Sequence, residues 1–419
     1  MRRGLPLGGV TRASYAKRGV RGLPVRDATD TMAGSTATPR TRLPLTVPSP
    51  NLELPEVLPD VTRARTLPGR VHGDERFFDA TVERVLRHAW SFLASVAETR
   101  AAGTILPARV FPGALDEPVV LTRDTDERLH LLSNVCTHRA NLVAEEACAR
   151  KELRCGYHGR RFGLDGRLRA APGFEGAQDF PRPEDDLAGR GLGVHGPAVF
   201  GAFEPALPFD AWTASLQERL GHLPWDALVP LPDRDRDFDV AASWILYVEN
   251  YLEGFHVPYV HPGLSAAIDV ATYAHELFPW GTLQVAEARP DERALPSSPL
   301  DGGRRVAAHY LWLFPTTMWN VYPWGVSLNA VLPVAVDRTR VLFRTYVWDE
   351  SALDQGAGAD LWQVEREDEA VVESCQRGNA SRGYGSGRYA PAHERGVHRF
   401  HRLLLEVLRE GWDGAAQRA

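Results

Sequence analysis

The sequence predicts an α+β fold, in which a β-rich section precedes a section of mixed strands and helices. The segment GDERFFDATVERVLRHAW, residues 73–90, repeats its apolar residues near the helical period of about 3.6. Short β runs broken by turn signals such as LDG and APG follow in residues 91–196. Aromatic β runs then occupy much of residues 304–348, and two helical patterns close the chain. This order of elements predicts two domains, residues 60–196 and residues 197–419.

The composition excludes several classes of protein. The chain has 419 residues, 44% of them hydrophobic and 24% charged, which is typical of a globular protein. A formal net charge of −6 argues against a nucleic-acid partner. No run approaches the roughly 20 apolar residues of a membrane-spanning helix. Four cysteines are too few for a disulfide framework and fit a reducing compartment, so we expect a cytoplasmic protein.

Residues 1–59 are rich in Gly, Pro and Arg and are predicted to form a disordered tail. The first 31 residues hold seven basic and two acidic side chains, a composition that an organelle transit peptide shares. A start that truly lies further downstream, at Met32, is a third interpretation. The sequence alone leaves the three open.

A glycine pattern in the chain is a false signal for a nucleotide site. Gly191, Gly193 and Gly196 match G-x-G-x-x-G, but a strand-like segment follows them. A dinucleotide fingerprint needs a helix N-terminus at that point to receive the pyrophosphate. We therefore expect a turn here and no flavin or nicotinamide site.

Two short loops each combine a thiol with an imidazole. CTHR supplies Cys136 and His138, and RCGYHG supplies Cys155 and His158. Cys₂His₂ is a common structural zinc set, but zinc sites usually pair Cys with Cys and His with His along the chain. The alternation seen here suits a two-iron cluster, in which two thiolates hold one iron and two imidazoles hold the other. Cys148 lies outside both pairs and is interpreted as a structural or incidental thiol.

The segment ENYLEGFHVPYVHP predicts a second metal site. Glu249, Glu253 and His256 lie at i, i+4 and i+7, which a helix would place on one face. Pro residues break the helix beyond His256, so the chain can turn His261 back toward it. Two imidazoles and a carboxylate form the facial triad of non-haem Fe(II) oxygenases, which leaves positions open for O₂.

The helical pattern LWQVEREDEAVVESCQ offers the missing carboxylate. Asp368 falls inside its apolar stripe, whereas Glu367 and Glu369 point to either side. A carboxylate on a buried stripe is costly unless it is paired or binds a metal, so Asp368 is the odd residue out and a candidate ligand. Glu365, at the edge of the stripe, is the alternative.

These motifs resemble those of a known family. CTHR followed by RCGYHGRRFGLDGRL resembles the paired loops of Rieske [2Fe–2S] proteins, and NYLEGFHVPYVH is similar to the mononuclear iron motif of Rieske oxygenase α subunits. The resemblance covers roughly residues 60–405. It implies a β-rich Rieske domain followed by a helix-grip domain, in which an antiparallel sheet wraps on a long helix.

The resemblance also implies roles for single residues. Cys136 and Cys155 would bind the inner iron of the cluster, and His138 and His158 the outer iron. His256, His261 and Asp368 would bind mononuclear Fe(II). Glu253 would link this iron to a Rieske histidine of the neighbouring subunit in a homotrimer, although many members have Asp at this position.

The implied activity is oxygenation of a small organic substrate with O₂. The electrons would come from NAD(P)H through a separate reductase or ferredoxin. A Rieske electron-transfer or metal-sensing protein without oxygenase activity is the rival hypothesis. The aromatic segment YLWLFPTTMWNVYPWG, residues 310–325, fits a quaternary ammonium substrate, because rings attract cations, and it fits an aromatic substrate equally well. Mono- and dioxygenation both stay open.

Overall fold

The computed structural model describes residues 52–417. Most of the predicted disordered tail lies outside the described residues. Its last part, residues 52–59, packs on the body of the protein: Val57 is buried, and His398 Nε2 lies 2.8 Å from the carbonyl oxygen of Leu58. The predicted first helix is confirmed as α1, Glu75–Arg84, which begins after Asp74 because that carboxylate accepts the N–H of Arg76 at 2.9 Å.

Three small antiparallel sheets follow α1. The strands of this section are β1 (Ser91–Ser95), β2 (Thr104–Val110), β3 (Glu117–Arg123), β4 (Leu129–Ser133), β5 (Cys148–Ala149), β6 (Leu153–Arg154), β7 (Arg161–Phe162), β8 (Leu168–Ala170), β9 (Gly191–His195) and β10 (Ala198–Ala202). Their orders are β1–β10–β9, β4–β3–β2–β5 and β6–β7–β8. The two Cys/His loops connect β4 to β5 and β6 to β7, so each loop is held at both ends by a sheet.

Only the last glycine of the pattern lies in a turn, as predicted. Gly191 and Gly193 belong to β9, and Gly196, at φ 51°, lies in the tight turn that joins β9 to β10. The predicted domain limit between residues 196 and 197 falls in this turn. Since β10 also pairs with β1, residues 198–202 complete a sheet of the first section. The division into domains of residues 60–196 and 197–419 stays a prediction.

One large antiparallel sheet forms the second section. Its strands are β11 (Val229–Pro230), β12 (Arg236–Val240), β13 (Ile268–Phe278), β14 (Gly281–Ala288), β15 (Val306–Leu313), β16 (Thr317–Tyr322), β17 (Gly325–Ala335) and β18 (Arg338–Val347). The order is β11–β18–β17–β16–β15–β14–β13, and β12 also pairs with β18. Every residue of β16 is buried, which explains why its apolar and aromatic side chains do not alternate with charged ones.

Helices cover this sheet. They are α2 (Phe209–Trp212), α3 (Ala214–Leu220), α4 (Trp244–Tyr251), α5 (Val257–Val260), α6 (Pro262–Ala267), α7 (Leu361–Asn379) and α8 (Arg395–Ala416). Phe400 of α8 packs between Trp244 of α4 and Trp312 of β15, with ring centroids 5.6 and 5.3 Å away. A long helix thus lies against an antiparallel sheet, as predicted. Among the described helices, none is long and apolar enough to cross a membrane.

Candidate metal centres and active site

The two Cys/His loops share one backbone plan. The N–H of Cys136 donates to the carbonyl oxygen of Asn141, and the N–H of Cys155 donates to that of Arg160, both at 2.9 Å. In each loop, the residue four positions after the cysteine has a positive φ. These residues are Ala140, at 55°, and Gly159, at 72°. The two loops therefore hold their cysteines in the same backbone setting.

The four side chains of these loops come together, as the sequence predicts. The rings of His138 and His158 lie 4.7 Å apart at the outer end, while Cys136 and Cys155 are 3% and 2% exposed. The Nδ1 atom of His138 is buried and has no hydrogen-bond partner in the described part of the chain. An orphaned imidazole nitrogen beside two buried thiols fits a metal cluster, because buried polar atoms otherwise find partners.

A buried arginine supports this pair of loops. The guanidinium of Arg160 lies over the rings of Phe174 and Phe180, at 4.5 and 5.2 Å from their centroids. It also donates to the hydroxyl of Thr137 at 3.0 Å and lies 3.6 Å from the carboxylate of Asp185. Sequence reasoning missed Arg160, since nothing local shows that the segment after β8 folds back over the loops.

The second predicted site is also assembled. Nε2 of His261 lies 3.0 Å from Oδ1 of Asp368, and Nε2 of His256 lies 3.4 Å from the same oxygen. The three possible ligand atoms lie within 4.8 Å of one another. His256 precedes α5, His261 caps the N-terminus of α6, and Asp368 projects from α7. The turn between α5 and α6, at Pro262, brings the second imidazole back as predicted.

A carboxylate holds the outer nitrogen of each imidazole. Nδ1 of His256 lies 2.6 Å from Oε1 of Glu253, and Nδ1 of His261 lies 2.7 Å from Oε2 of Glu367. In the metal-bound site, each Nδ1 would donate its proton to this carboxylate, which leaves each Nε2 to bind the metal together with Asp368. This fits a metal bound by His256, His261 and Asp368.

Two sequence-based expectations about neighbouring acids are corrected here. Glu367 does not point away from the site, because its carboxylate contacts Nδ1 of His261. Glu249 does not share the site, since α4 ends at Tyr251 and the helical face it was assigned to does not continue. Its carboxylate lies 2.7 Å from Nε2 of His401 instead.

Glu365, the alternative third ligand, is not part of the metal-ligating cluster. Its carboxylate accepts the hydroxyl of Tyr247, with O···O distances of 2.8 and 3.0 Å. Burial, reinforced by the charge of Asp368, raises the pKa of Glu365 well above its usual range. The expected apolar stripe of α7 is less buried than predicted, and Cys375 is exposed.

An open cavity adjoins the triad. Its lining includes three asparagines and a group of tyrosines, which we call the tyrosine cluster: Tyr247, Tyr251, Tyr273, Tyr310 and Tyr322. The ring of Tyr310 lies 6.4, 6.5 and 6.0 Å from those of Tyr251, Tyr273 and Tyr322. Burial raises the pKa of each of these phenols, so they stay neutral.

The aromatic segment 310–325 contributes to both wall and core. Tyr310, Asn320 and Tyr322 line the cavity, whereas Trp312 and Trp319 are fully buried. The hydroxyl of Tyr251 donates to Oδ1 of Asn320 at 2.8 Å, which leaves the amide nitrogen of Asn320 available to a ligand. The cavity thus offers aromatic faces, neutral amides and carboxylates beside a candidate metal.

Two family profiles match this chain. Residues 89–181 match the Rieske [2Fe–2S] domain, and residues 229–410 match the catalytic domain of the ring-hydroxylating α subunit. The first match favours an iron–sulfur cluster over zinc for the Cys/His loops. The second favours an oxygenase over an electron-transfer or sensor protein.

Curated relatives extend over nearly all of the described chain. The carnitine monooxygenase oxygenase subunit of Escherichia coli (strain K12) is 30% identical in an alignment of 384 residues that covers 86% of this chain and 99% of that protein. The chloroplastic choline monooxygenase of Arabidopsis thaliana is 28% identical in an alignment of 366 residues that covers 83% of this chain and 84% of that protein.

Solved structures have the same fold. A quaternary ammonium Rieske monooxygenase in complex with its substrate L-carnitine aligns with a TM-score of 0.67 at 24% identity, over 84% of this chain and 100% of that chain. Naphthalene 1,2-dioxygenase from Rhodococcus sp. aligns with a TM-score of 0.65 at 18% identity, over 82% and 95%. The chain therefore belongs to the Rieske non-haem iron oxygenases, as an α subunit with a [2Fe–2S] cluster and a mononuclear iron, and it works with a small-molecule substrate and a separate electron donor.

Proposed function

We propose that this chain is the oxygenase subunit of a monooxygenase that acts on a quaternary ammonium compound. The observation that carries the proposal is the tyrosine cluster in the cavity beside His256, His261 and Asp368. Aromatic faces attract a cation whose charge is spread over methyl groups, and the attraction grows when both are removed from water. The names of the two relatives above, which act on carnitine and choline, support this substrate class.

The metal ligands are proposed as the sequence predicts them. Cys136 and Cys155 hold the inner iron of the cluster, and His138 and His158 the outer iron. His256, His261 and Asp368 hold the mononuclear iron. The support is the assembly of each group from separate loops and helices, together with the carboxylates that hold Nδ1 of His256 and of His261.

The residues of this chain then divide the work of the catalytic site. When bound, the mononuclear iron supplies the family's O₂ chemistry with electrons that arrive through the cluster. Glu253 and Glu367 orient the two imidazoles, since a hydrogen-bonded carboxylate fixes both the tautomer and the ring plane. The tyrosine cluster holds the cation in place, and the buried wall around it limits the access of water. The chain thereby positions one part of the substrate close to the triad.

A homotrimer is proposed as the working assembly. Glu253 binds His256 on one side, and exposed aromatic residues lie nearby, Phe255 at 44% and Tyr259 at 79% exposure. Tyr157, beside His158 at the tip of the Rieske loops, is 57% exposed. Exposed aromatic side chains near both metal sites suit a head-to-tail contact between subunits, which closes into a ring. Glu253 then connects His256 to a Rieske histidine of the neighbouring subunit.

The remaining proposals concern the electron donor and the location. An NAD(P)H-dependent reductase, with or without a ferredoxin, supplies the electrons. The location is cytoplasmic, which suits a chain whose four cysteines form no disulfide.

Substrate-dependent O₂ uptake tests the proposed function. The holoenzyme and a compatible reductase are supplied with NAD(P)H and with choline, L-carnitine, glycine betaine or one of several aromatic acids. Uptake that requires a quaternary amine is the expected result. Uptake that responds to aromatic acids and to none of the quaternary amines would overturn the proposal.

A further inference from the structure

Apart from the two histidines and the metal that they would hold, the charged side chains that line the cavity are all acidic. Its carboxylates belong to Glu253, Glu365 and Asp368, and among the described lining residues none is lysine or arginine. Glu253 is occupied by His256, and Asp368 faces both imidazoles. Glu365 is the carboxylate that neither metal ligation nor histidine orientation uses.

Glu365 is buried without a counter-charge. It is 4% exposed, and within residues 52–417 it accepts the Tyr247 hydroxyl but forms no ion pair. A buried carboxylate with a single neutral partner is costly, because one hydrogen bond does not replace its hydration. Burial accordingly raises its pKa. A cation in the cavity would supply the missing charge.

We infer that the cavity takes an organic cation that carries no carboxylate, such as choline, and that Glu365 determines this specificity. The inference rests on the proposed function and narrows it. Choline offers a trimethylammonium group to the tyrosine cluster and to Glu365, with a hydroxyl for a neutral amide such as that of Asn320. Carnitine would bring a carboxylate close to Glu365, which has no counter-charge, in a cavity whose lining has no lysine or arginine to receive it.

A purely structural role for Glu365 makes a different prediction. Its hydrogen bond to Tyr247 joins α7 to α4, so a structural carboxyl would affect every ligand of the cavity alike. A charge-selecting carboxylate affects cations and leaves neutral ligands unchanged. The neutral carbon isostere of choline, 3,3-dimethylbutan-1-ol, separates the two roles because it has the same shape without the charge.

The experiment measures the dissociation constants of choline, L-carnitine and 3,3-dimethylbutan-1-ol by titration calorimetry on the holoenzyme. Glu365→Gln keeps the shape and an acceptor for Tyr247, and Glu369→Gln is the control, since Glu369 lies on the same helix outside the cavity lining. Wild type should bind choline most tightly. Glu365→Gln should weaken choline roughly 10- to 100-fold, mainly as a higher KM in turnover, and leave the isostere unchanged. Glu369→Gln should match wild type.

Each contrary outcome has its own meaning. Tighter binding of L-carnitine than of choline by wild type would overturn the inference and leave the proposed function standing. Equal losses for choline and the isostere in Glu365→Gln would assign Glu365 a structural role and also overturn it. Binding of neither cation, together with turnover of an aromatic acid, would overturn the proposed function and this inference together. The comparison of choline with L-carnitine uses the wild-type protein alone, so it does not depend on the folding of any variant.

Discussion

Oε2 of Glu367 lies 2.7 Å from Nδ1 of His261, while the opposite nitrogen of the same ring faces Asp368 at 3.0 Å. Neighbouring residues of one helix thus flank a single imidazole. Partners of this kind typically change metal affinity about 10- to 100-fold. We therefore expect Glu367→Ala to lower the affinity of the mononuclear site for Fe(II) by this order and to leave the Rieske spectrum intact. Iron analysis after dialysis against a chelator measures this loss of Fe(II) affinity, and Glu369→Ala is the control.

Substitution of the triad residues should abolish activity without affecting the [2Fe–2S] cluster. Asp368→Ala, His256→Ala and His261→Ala should each abolish oxygenation, since each removes a metal ligand. Visible and EPR spectra of the [2Fe–2S] centre should be unchanged, because its ligands lie on other loops. Glu365→Ala should retain the mononuclear iron. Full iron and activity in Asp368→Ala, with loss of both in Glu365→Ala, would show that the ligand is one helical turn away.

Arg160 should raise the reduction potential of the cluster. Reduction adds negative charge, and a buried cation stabilises the reduced form. The Arg160 side chain donates to Thr137, the residue between Cys136 and His138, and is shielded by two phenylalanines. Arg160→Gln should lower the midpoint potential in a redox titration monitored by EPR. Arg161→Gln is the control, since that side chain is 48% exposed. An unchanged potential in Arg160→Gln would contradict this role.

Choline affinity should rise with pH. Glu365 faces Tyr247 of α4 and lies near Asp368 and Glu369 of α7, and burial is the main cause of its raised pKa. A bound cation favours the ionised carboxylate, so binding releases a proton whenever Glu365 starts protonated. The dissociation constant should therefore fall as the pH rises through the pKa of the empty cavity and level off above it. Calorimetry in two buffers of different ionisation enthalpy measures the released proton, and Glu365→Gln should release none.

Glu253→Gln should leave both metal sites intact but slow electron transfer between them. The carboxylate accepts the backbone N–H of His256 at 3.0 Å as well as its ring, so a near-isosteric amide preserves the fold and both irons. Electron transfer between subunits should slow, and the reduced cluster should persist in the presence of O₂ and substrate. Stopped-flow absorbance follows the cluster, and light scattering gives the subunit number. A monomer with full turnover, or an unimpaired variant, would refute the route between subunits.

Local spacing explains which parts of the site were predictable. Cys136 and His138, like Cys155 and His158, are fixed by short loops whose geometry depends on neighbours in the sequence. His256 and His261 follow the same logic, because Pro262 starts a new helix after the second histidine. Asp368 was identifiable as a polar residue within an apolar helical pattern, although that face of α7 lines a cavity more than it enters the core.

Long-range packing decides the rest. The tyrosine cluster is assembled from α4, β13, β15 and β16, and no spacing within one segment shows that these strands and this helix meet. In the sequence, Glu365 is one of several acidic residues on a charged helix, and only the folded structure shows that it contacts Tyr247. Glu249 was misplaced because a helical face was extended past Tyr251, where α4 ends.

Single-turnover oxidation of the reduced cluster tests the central claim most directly, since it needs no partner protein. Holoenzyme reduced stoichiometrically and freed of reductant is mixed with O₂ and with choline, 3,3-dimethylbutan-1-ol or an aromatic acid, and the cluster absorbance is followed while oxidised product is quantified. We predict that choline accelerates cluster oxidation and yields product in proportion to the mononuclear iron. The account would be contradicted if choline left the rate of cluster oxidation unchanged while an aromatic acid accelerated it and was converted to an oxygenated product.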